Sequence, residues 1–221
     1  MTLFRLDASI MPGSSASSAL GDIVEGEWLA ATPGDTVVKR DLAADPIAAT
    51  AWQEAVSAGF IPDDVRTPSQ HAVTALARTL ADEMLTADAL VFNVPLYNFG
   101  VSQHFKLWFD LAYTVPEIGP GGTSALAGKP AVLNTTLGGN YSPGTPRHGW
   151  DHSTDWLRRV LGDVWQLDLH VVQRPFTLVG VNPALDSFAD MAAELRVNAE
   201  QQAHEAGRAI SEAARLVGAS R

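Results

Sequence analysis

The chain contains no cysteine. Disulfides, thiolate nucleophiles, cysteine-ligated zinc and iron–sulfur clusters are excluded in one step, and a cytoplasmic location is the expectation. Positive charge is scarce: 15 Lys and Arg face 25 Asp and Glu, for a formal net charge of −10. The basic residues are scattered rather than gathered in a stripe, which argues against nucleic acid as a partner. No run approaches the about 18 apolar residues that a membrane span requires. Arg5 and Asp7 fall where a signal peptide would carry its apolar stretch, so neither a membrane partner nor secretion is expected. The 18 Gly and 13 Pro carry no repeat period, which removes collagen-like and low-complexity classes.

What is present is a large apolar fraction. Hydrophobic residues make up 46% of the 221 and charged residues 18%. A chain of this length buries roughly 70% of its unfolded surface as one domain. No Pro/Gly-rich stretch is long enough to separate two, so residues 1–221 are expected to form a single domain.

Short apolar runs alternate with segments of helical period. Residues 2–6, 36–39, 89–94, 131–136 and 169–172 read as strands, the last extending as far as Leu178. Residues 89–94 are apolar almost without a break, as a parallel sheet buried on both faces demands. Helical segments fall at 15–29, 67–85, 102–112, 153–165 and from Asp186 to about Leu216. Thr67-Pro68-Ser69-Gln70 carries the signature of a capping box with Pro in the first turn. Ser153 or Thr154 reads as the cap of the next helix. The alternation predicts an α/β fold: a three-layer, doubly wound, parallel five-stranded sheet in the order 2-1-3-4-5, flavodoxin-like in topology.

Ligands of such sheets bind beyond the carboxyl ends of the strands, so three loops matter. The first strand runs into residues 8–18, a loop dense in hydroxyls that opens directly into a helix. Serine hydroxyls, backbone N–H groups and the helix dipole together suit an anion, although a plain Ser-rich helix cap reads equally well. The spacing is neither that of a Walker loop nor that of a dinucleotide fingerprint. The third strand ends in Pro95-Leu96-Tyr97-Asn98-Phe99-Gly100, two aromatics and a carboxamide at the sheet edge. The fourth ends in Thr135-Thr136-Leu137-Gly138-Gly139-Asn140-Tyr141, where paired glycines let a backbone approach a ligand closely. The third-strand loop also reads as a hydrophobic turn that packs the next helix, and the fourth, taken singly, reads more readily as a turn before a surface loop. Together, an anion cradle, an aromatic platform and a Gly-Gly edge describe a site for flavin mononucleotide (FMN).

The segment from Val94 to Ser102, with Lys106, Trp108, Phe109 and Asp110, resembles a signature of the flavodoxin-like NAD(P)H quinone reductases. With the Ser-x-Ser loop and the later Gly-Gly it is most similar to the FMN-dependent NADH-azoreductase branch. Arg40-Asp41-Leu42 through Ile47 and the Thr67-Pro68 helix start support the same resemblance. It implies a homodimer with one FMN per subunit, NADH or NADPH as electron donor, and ping-pong transfer of two electrons to a quinone, an azo compound or another flat aromatic acceptor. Ser9, Ser15, Ala16 and Ser17 would hold the flavin phosphate. Pro95, Leu96, Tyr97, Asn98 and Phe99 would flank the ring, and Thr136, Leu137, Gly138 and Gly139 would meet its pyrimidine side. Asn98 and Tyr141 take the catalytic positions, while Phe99, Tyr141, Trp150 and Phe60 are the candidates for acceptor contacts. Leu137 stands where the family often has Arg. Two other readings remain open: a reductase of secondary metabolism with one specific aromatic substrate, and a non-catalytic flavin carrier.

Two further groupings carry less. His148, Asp151 and His152 are too few for a metal site once Gly149 breaks any helix there, and no metal is expected. Lys106 and Asp110 lie four apart in the weaker helical order, so separate tertiary contacts are expected of them.

Overall fold

The computed structural model describes residues 1–221 apart from Pro12, Ser14, Ser220 and Arg221. Among these described residues six strands form one sheet: β1 (Thr2–Asp7), β2 (Thr36–Asp41), β3 (Ala89–Tyr97), β4 (Gly100–Val101), β5 (Pro130–Thr136) and β6 (Asp168–Arg174). The five long strands are parallel in the order β2-β1-β3-β5-β6, the predicted topology. The two-residue β4, not predicted, folds back antiparallel onto the end of β3. Every residue of β5 is buried and only the last of β3 is not, whereas β2 at the edge is mostly exposed. The unbroken apolar run of β3 thus reflects its central place between two helical layers.

Among the described residues six helices cover the two faces: α1 (Ala16–Ala31), α2 (Ala51–Ala58), α3 (Pro68–Thr86), α4 (Gln103–Ala112), α5 (Thr154–Arg158) and α6 (Ala189–Ala219). Strand alternation sends Leu3, Val91 and Val132 into one layer with Leu20, Val24 and Trp28 of α1 and Ala203 and Ile210 of α6. Phe4, Leu6 and Phe92 face the other way, against α2, α3, α4 and α5. There Trp108 stacks on Phe4 at 6.5 Å, and its edge meets Trp165 at 5.8 Å.

The capping box of α3 is formed: Gln70 N donates to Thr67 Oγ1, and Thr67 N donates to Gln70 Oε1. Three local expectations need correction. The 153–165 helix is not uniform, since α5 widens after Arg158 into a π-helical turn, Arg159–Val164. The extra residue in that turn accompanies the burial of Trp165, whose indole N–H donates to Ile118 O at 2.9 Å. Ser153 does hold the N-cap position of α5, but without a side-chain cap bond; the Asp151 carboxylate accepts from the N–H groups of Ser153 and Thr154 at 2.9 Å instead. The last helix does not open at Asp186. A 3₁₀ turn, Pro183–Phe188, capped by Asn182, precedes it, because Pro183 pre-sets the first turn. Lys106 and Asp110 do pair, at 2.6 Å, despite their unfavourable order; Lys106 also lies over the Trp156 ring at 5.7 Å, which holds it in place.

Helices α1 and α6 cross closely, and glycine makes this possible. A Cβ on Gly207 would lie 2.8 Å from Glu27 Cβ and 3.1 Å from Val24 O. Gly26 in α1 has nothing within 4 Å of the same position. Opposite effects are expected from the same substitution. Gly26→Ala raises stability by about 1 kcal/mol through helix propensity. Gly207→Ala lowers it by about 1–2 kcal/mol, because overpacking outweighs that gain. Denaturant midpoints for the two variants test the contrast.

Candidate active site

The three loops at the carboxyl edge of the sheet do converge. After β1, Ser15 caps α1, its Oγ accepting from Ser18 N at 3.2 Å. The hydroxyls of Ser15 and Ser17 lie 3.0 Å apart, and Ser17 is fully buried. Ser9 Oγ meets Tyr97 Oη at 3.0 Å, and Tyr97 Oη accepts from Ile10 N at 3.1 Å. Tyr97 is thus a strut that ties the end of β3 to the serine loop. A cavity of about 580 Å³ opens beneath this loop, lined by Ser9, Gly13, Ser15, Ala16 and Ser18 and by Arg174, Thr177 and Arg196.

After β3 the chain turns back in two residues. Asn98 and Phe99 have φ of 48° and 68°, the left-handed pair of a type I′ hairpin turn. Asn accepts this conformation readily, whereas Phe99 carries backbone strain of about 1 kcal/mol or more. The N–H groups of Asn98 and Phe99 donate to no protein acceptor among the described residues. The hairpin is held from outside: His152 N donates to Phe99 O at 3.1 Å. Phe99 meets Trp150 edge-on at 5.4 Å and Tyr141 at 6.4 Å, and Arg147 lies over the Trp150 ring at 5.8 Å. Residues 141–152 therefore wall one side of the hairpin with aromatic rings.

After β5 the Gly-Gly loop is pinned by its carbonyls. Thr177 N donates to Leu137 O, Leu178 N to Gly138 O and Phe176 N to Gly139 O, at 3.0, 3.2 and 3.2 Å. The N–H groups of Gly138 and Gly139 have no protein acceptor among the described residues. A Cβ on Gly138 would come within 2.7 Å of Leu178 Cδ1, the far end of an exposed side chain that can give way. The edge thus offers backbone donors from two loops, a hydroxyl cradle from the third and an aromatic wall. That donor set matches a flat ring with a polar rim carried on a phosphate.

Below the serine loop runs a polar row that composition gave no hint of. Arg5, 4% exposed, donates to Asp7 at 2.8 Å, Asp22 at 2.6 Å and Glu25 at 2.8 Å, and to Ser18 O in the first turn of α1. Asn93 Nδ2 donates to Asp7, and Asn134 Nδ2 to Asn93. Burial alone would push the Arg5 guanidinium down. Its hydrogen bonds and charge contacts with Asp7, Asp22 and Glu25 outweigh that and hold it above the ordinary arginine range.

Comparison with known proteins decides the family. Residues 1–205 match a family described as flavodoxin-like fold. An FMN-dependent NADH:quinone oxidoreductase of Frankia alni is 36% identical over 200 residues, covering 90% of this chain and 94% of that protein. One of Streptomyces avermitilis is 31% identical over 203 residues, covering 91% and 93%. The chain belongs to this family of flavodoxin-like NADH:quinone oxidoreductases. An azoreductase of Bacillus anthracis superposes with a TM-score of 0.75 over 94% of this chain and 99% of that one; at 20% identity it speaks for the fold alone.

Ser9, Ser15 and Ala16 line the cavity, and Ser17 backs it. Pro95 and Leu96 are buried at the end of β3, Thr136 and Leu137 at the end of β5. Phe99, Tyr141 and Trp150 form one cluster beside Asn98. Phe60 stands apart from it, 86% exposed after α2 and in none of those ring contacts. His148 lines a second hollow of about 340 Å³ with Tyr141, Arg158 and Gln173. Among the described residues no group of three His, Asp or Glu is placed to hold a metal, and no helix is long and apolar enough to cross a membrane. Arg174 and Arg196 escaped sequence reasoning. The first ends an apolar strand and the second sits in a helix that reads as a solvated acidic face, so no local motif marks either.

Proposed function

We propose that this protein is a cytoplasmic, FMN-dependent NADH:quinone oxidoreductase, a homodimer of single-domain subunits, acting on quinones or related flat aromatic acceptors such as azo compounds. The observation that carries the reading is that the N–H groups of Asn98, Phe99, Gly138 and Gly139, in the loops after β3 and β5, have no protein acceptor among the described residues, at the same carboxyl edge of the sheet as the serine cradle. FMN, when bound, supplies the capacity to take a hydride from the nicotinamide donor and pass two electrons on.

The chain's own residues supply position and electrostatics. Ser9, Ser15, Ala16 and Ser17 hold the phosphate through hydroxyls and the α1 N-terminus. Pro95, Leu96 and Tyr97 brace the ring's edge. The N–H groups of Asn98, Gly138 and Gly139 would donate to the ring's polar rim and favour negative charge there; they are fixed in advance, so no reorganisation would be required. Thr136 and Leu137 anchor that rim to β5. Phe99, Tyr141 and Trp150 would flank the acceptor from one side, an aromatic wall that favours an enzyme over an open-edged electron carrier. Tyr141 is placed to orient the acceptor by its ring or hydroxyl. The dimer is supported by apolar groups left exposed on and after α2: Trp52, Val56, Phe60 and Val65. Phe60 on that surface would reach the second subunit's site.

Purified protein is expected to be yellow, to take up one FMN per chain, and to oxidise NADH only when a quinone is present. A colourless protein that takes up no added FMN overturns this reading. Gly139→Val introduces branches at the rim, where the Cβ alone would lie 3.9 Å from the Tyr141 ring. It is expected to lower quinone reductase kcat/KM by about 100-fold through misplacement of the ring. Normal FMN affinity with normal turnover would remove Gly139 from the site.

A further inference from the structure

Three guanidinium groups line the cavity beneath the serine loop: Arg5, committed to Asp7, Asp22 and Glu25, and Arg174 and Arg196, which none of the sequence motifs accounts for. Arg174 is the last residue of β6, in register with Thr136 at the end of β5. It therefore stands on the carboxyl edge, where ligands of a parallel sheet bind. Arg196 reaches the same cavity from α6, and both line it together with Ser9, Ser15 and Ala16.

The acidic groups nearby are already committed. Asp7 and Asp22 accept from Arg5. Asp41 accepts from the N–H groups of Ala43 and Ala44. Glu200 accepts from Arg196 Nε at 2.6 Å. The Arg174 guanidinium has neither a hydrogen-bond acceptor nor a carboxylate within ion-pair distance among the described residues. Half-buried, it is pushed below the ordinary arginine range by burial and then by the Arg196 charge, with Glu200 opposing.

Five unused donors on a partly desolvated cation beside a second cation are unfavourable in the protein alone. An anion with several oxygens reverses that balance, since guanidinium pairs with phosphate through parallel, charge-assisted bonds. The whole chain carries a net charge of −10 and repels an anionic ligand at long range. A local cationic wall offsets this where neutral serine donors alone do not.

We propose that Arg174, supported by Arg196, forms the cationic wall of the phosphate subsite and ion-pairs with the phosphate monoester of FMN. The assignment rests on the flavin reading above. It adds an electrostatic component to a cradle otherwise built from hydroxyls and backbone.

Riboflavin, which has the same ring and side chain without the phosphate, is the discriminating probe. Flavin fluorescence quenching gives Kd for FMN and riboflavin on flavin-free wild-type, Arg174→Ala and Arg174→Lys proteins. Arg174→Ala is expected to weaken FMN by about 10- to 100-fold and to leave riboflavin unchanged. Arg174→Lys keeps the charge without the fork and falls between. The wild-type FMN Kd rises with salt more steeply than that of Arg174→Ala. Equal losses for both flavins, or no loss for FMN, overturn the assignment while leaving the flavin reading intact. A wild-type protein that binds neither flavin overturns both. Melting temperatures of the flavin-free variants check folding, and Arg174→Lys carries the test if the alanine variant does not fold.

Discussion

Arg5→Met is expected to lower the unfolding free energy by about 3–5 kcal/mol, the range for removing one partner of a buried charge network. Arg5 is the hub of a row in which Asp7 and Glu25 have side chains only 13% and 15% exposed. Methionine fills much of the same volume, so packing is largely kept and the charge is what disappears. Asp7 then retains Asn93 Nδ2 at 3.0 Å, and Glu25 retains Lys39 at 2.8 Å, but neither is neutralised from the core side. Asp22, at 70% exposure, turns to solvent at little cost. Pairing Arg5→Met with Asp7→Asn removes the stranded charge and is expected to recover part of the loss, which a change in packing alone would not allow. Denaturant unfolding of the single and double variants at neutral pH measures both values. A loss under about 1 kcal/mol for Arg5→Met would mean that the network contributes nothing net. The consequence reaches the site: Arg5 Nη2 donates to Ser18 O at 3.1 Å, so losing it also loosens the first turn of α1, which carries the serine cradle.

How much of this was legible in the sequence depended on range. The five long strands and their order followed from runs of apolar residues, because a doubly wound sheet buries its central strands on both faces and leaves no polar alternation in β3. The three loops followed from their position after those strands. What escaped was set by contacts distant in sequence. Arg5 and Asp7 read only as interruptions of an apolar stretch; that they form a buried ionic row depends on Asp22 and Glu25 of α1 and on Asn93 of β3. Gly21 admits that row, since a Cβ there would lie 2.3 Å from Asn93 Nδ2, yet within the chain it reads as an ordinary helix glycine. Arg174 and Arg196 lie 22 positions apart on different elements and meet only in the cavity. The two-residue β4 was missed because Asn98-Phe99 lacks the Asn-Gly signature of a tight hairpin. The structure accepts a bulky residue at positive φ there, where Trp150 and Tyr141 hold its ring.

Ser15→Asp is expected to leave the fold intact and to weaken FMN binding by about 100- to 1000-fold. Asp caps helices as well as Ser does, and a negative charge at the N-terminus of α1 interacts favourably with the helix dipole. Stability therefore stays within about 0.5 kcal/mol of wild type or rises slightly. The same carboxylate stands at the mouth of the cavity that Ser15 lines with Ser9 and Ala16. There it meets the phosphate charge at close range, where an effective dielectric of about 20 makes each unit-charge repulsion worth several kcal/mol before screening. Ser15→Ala is the counterpart. It loses the cap bond to Ser18 N at a cost of about 1 kcal/mol in stability, but removes one neutral donor from the phosphate and weakens FMN by only about 10-fold. The two substitutions thus rank in opposite orders, alanine worse for folding and aspartate worse for FMN. A structural role for Ser15 alone would rank them the same way by both measures. If Ser15→Asp bound FMN no worse than Ser15→Ala, the phosphate would not lie at this helix terminus, and the serine loop would be a cap and nothing more.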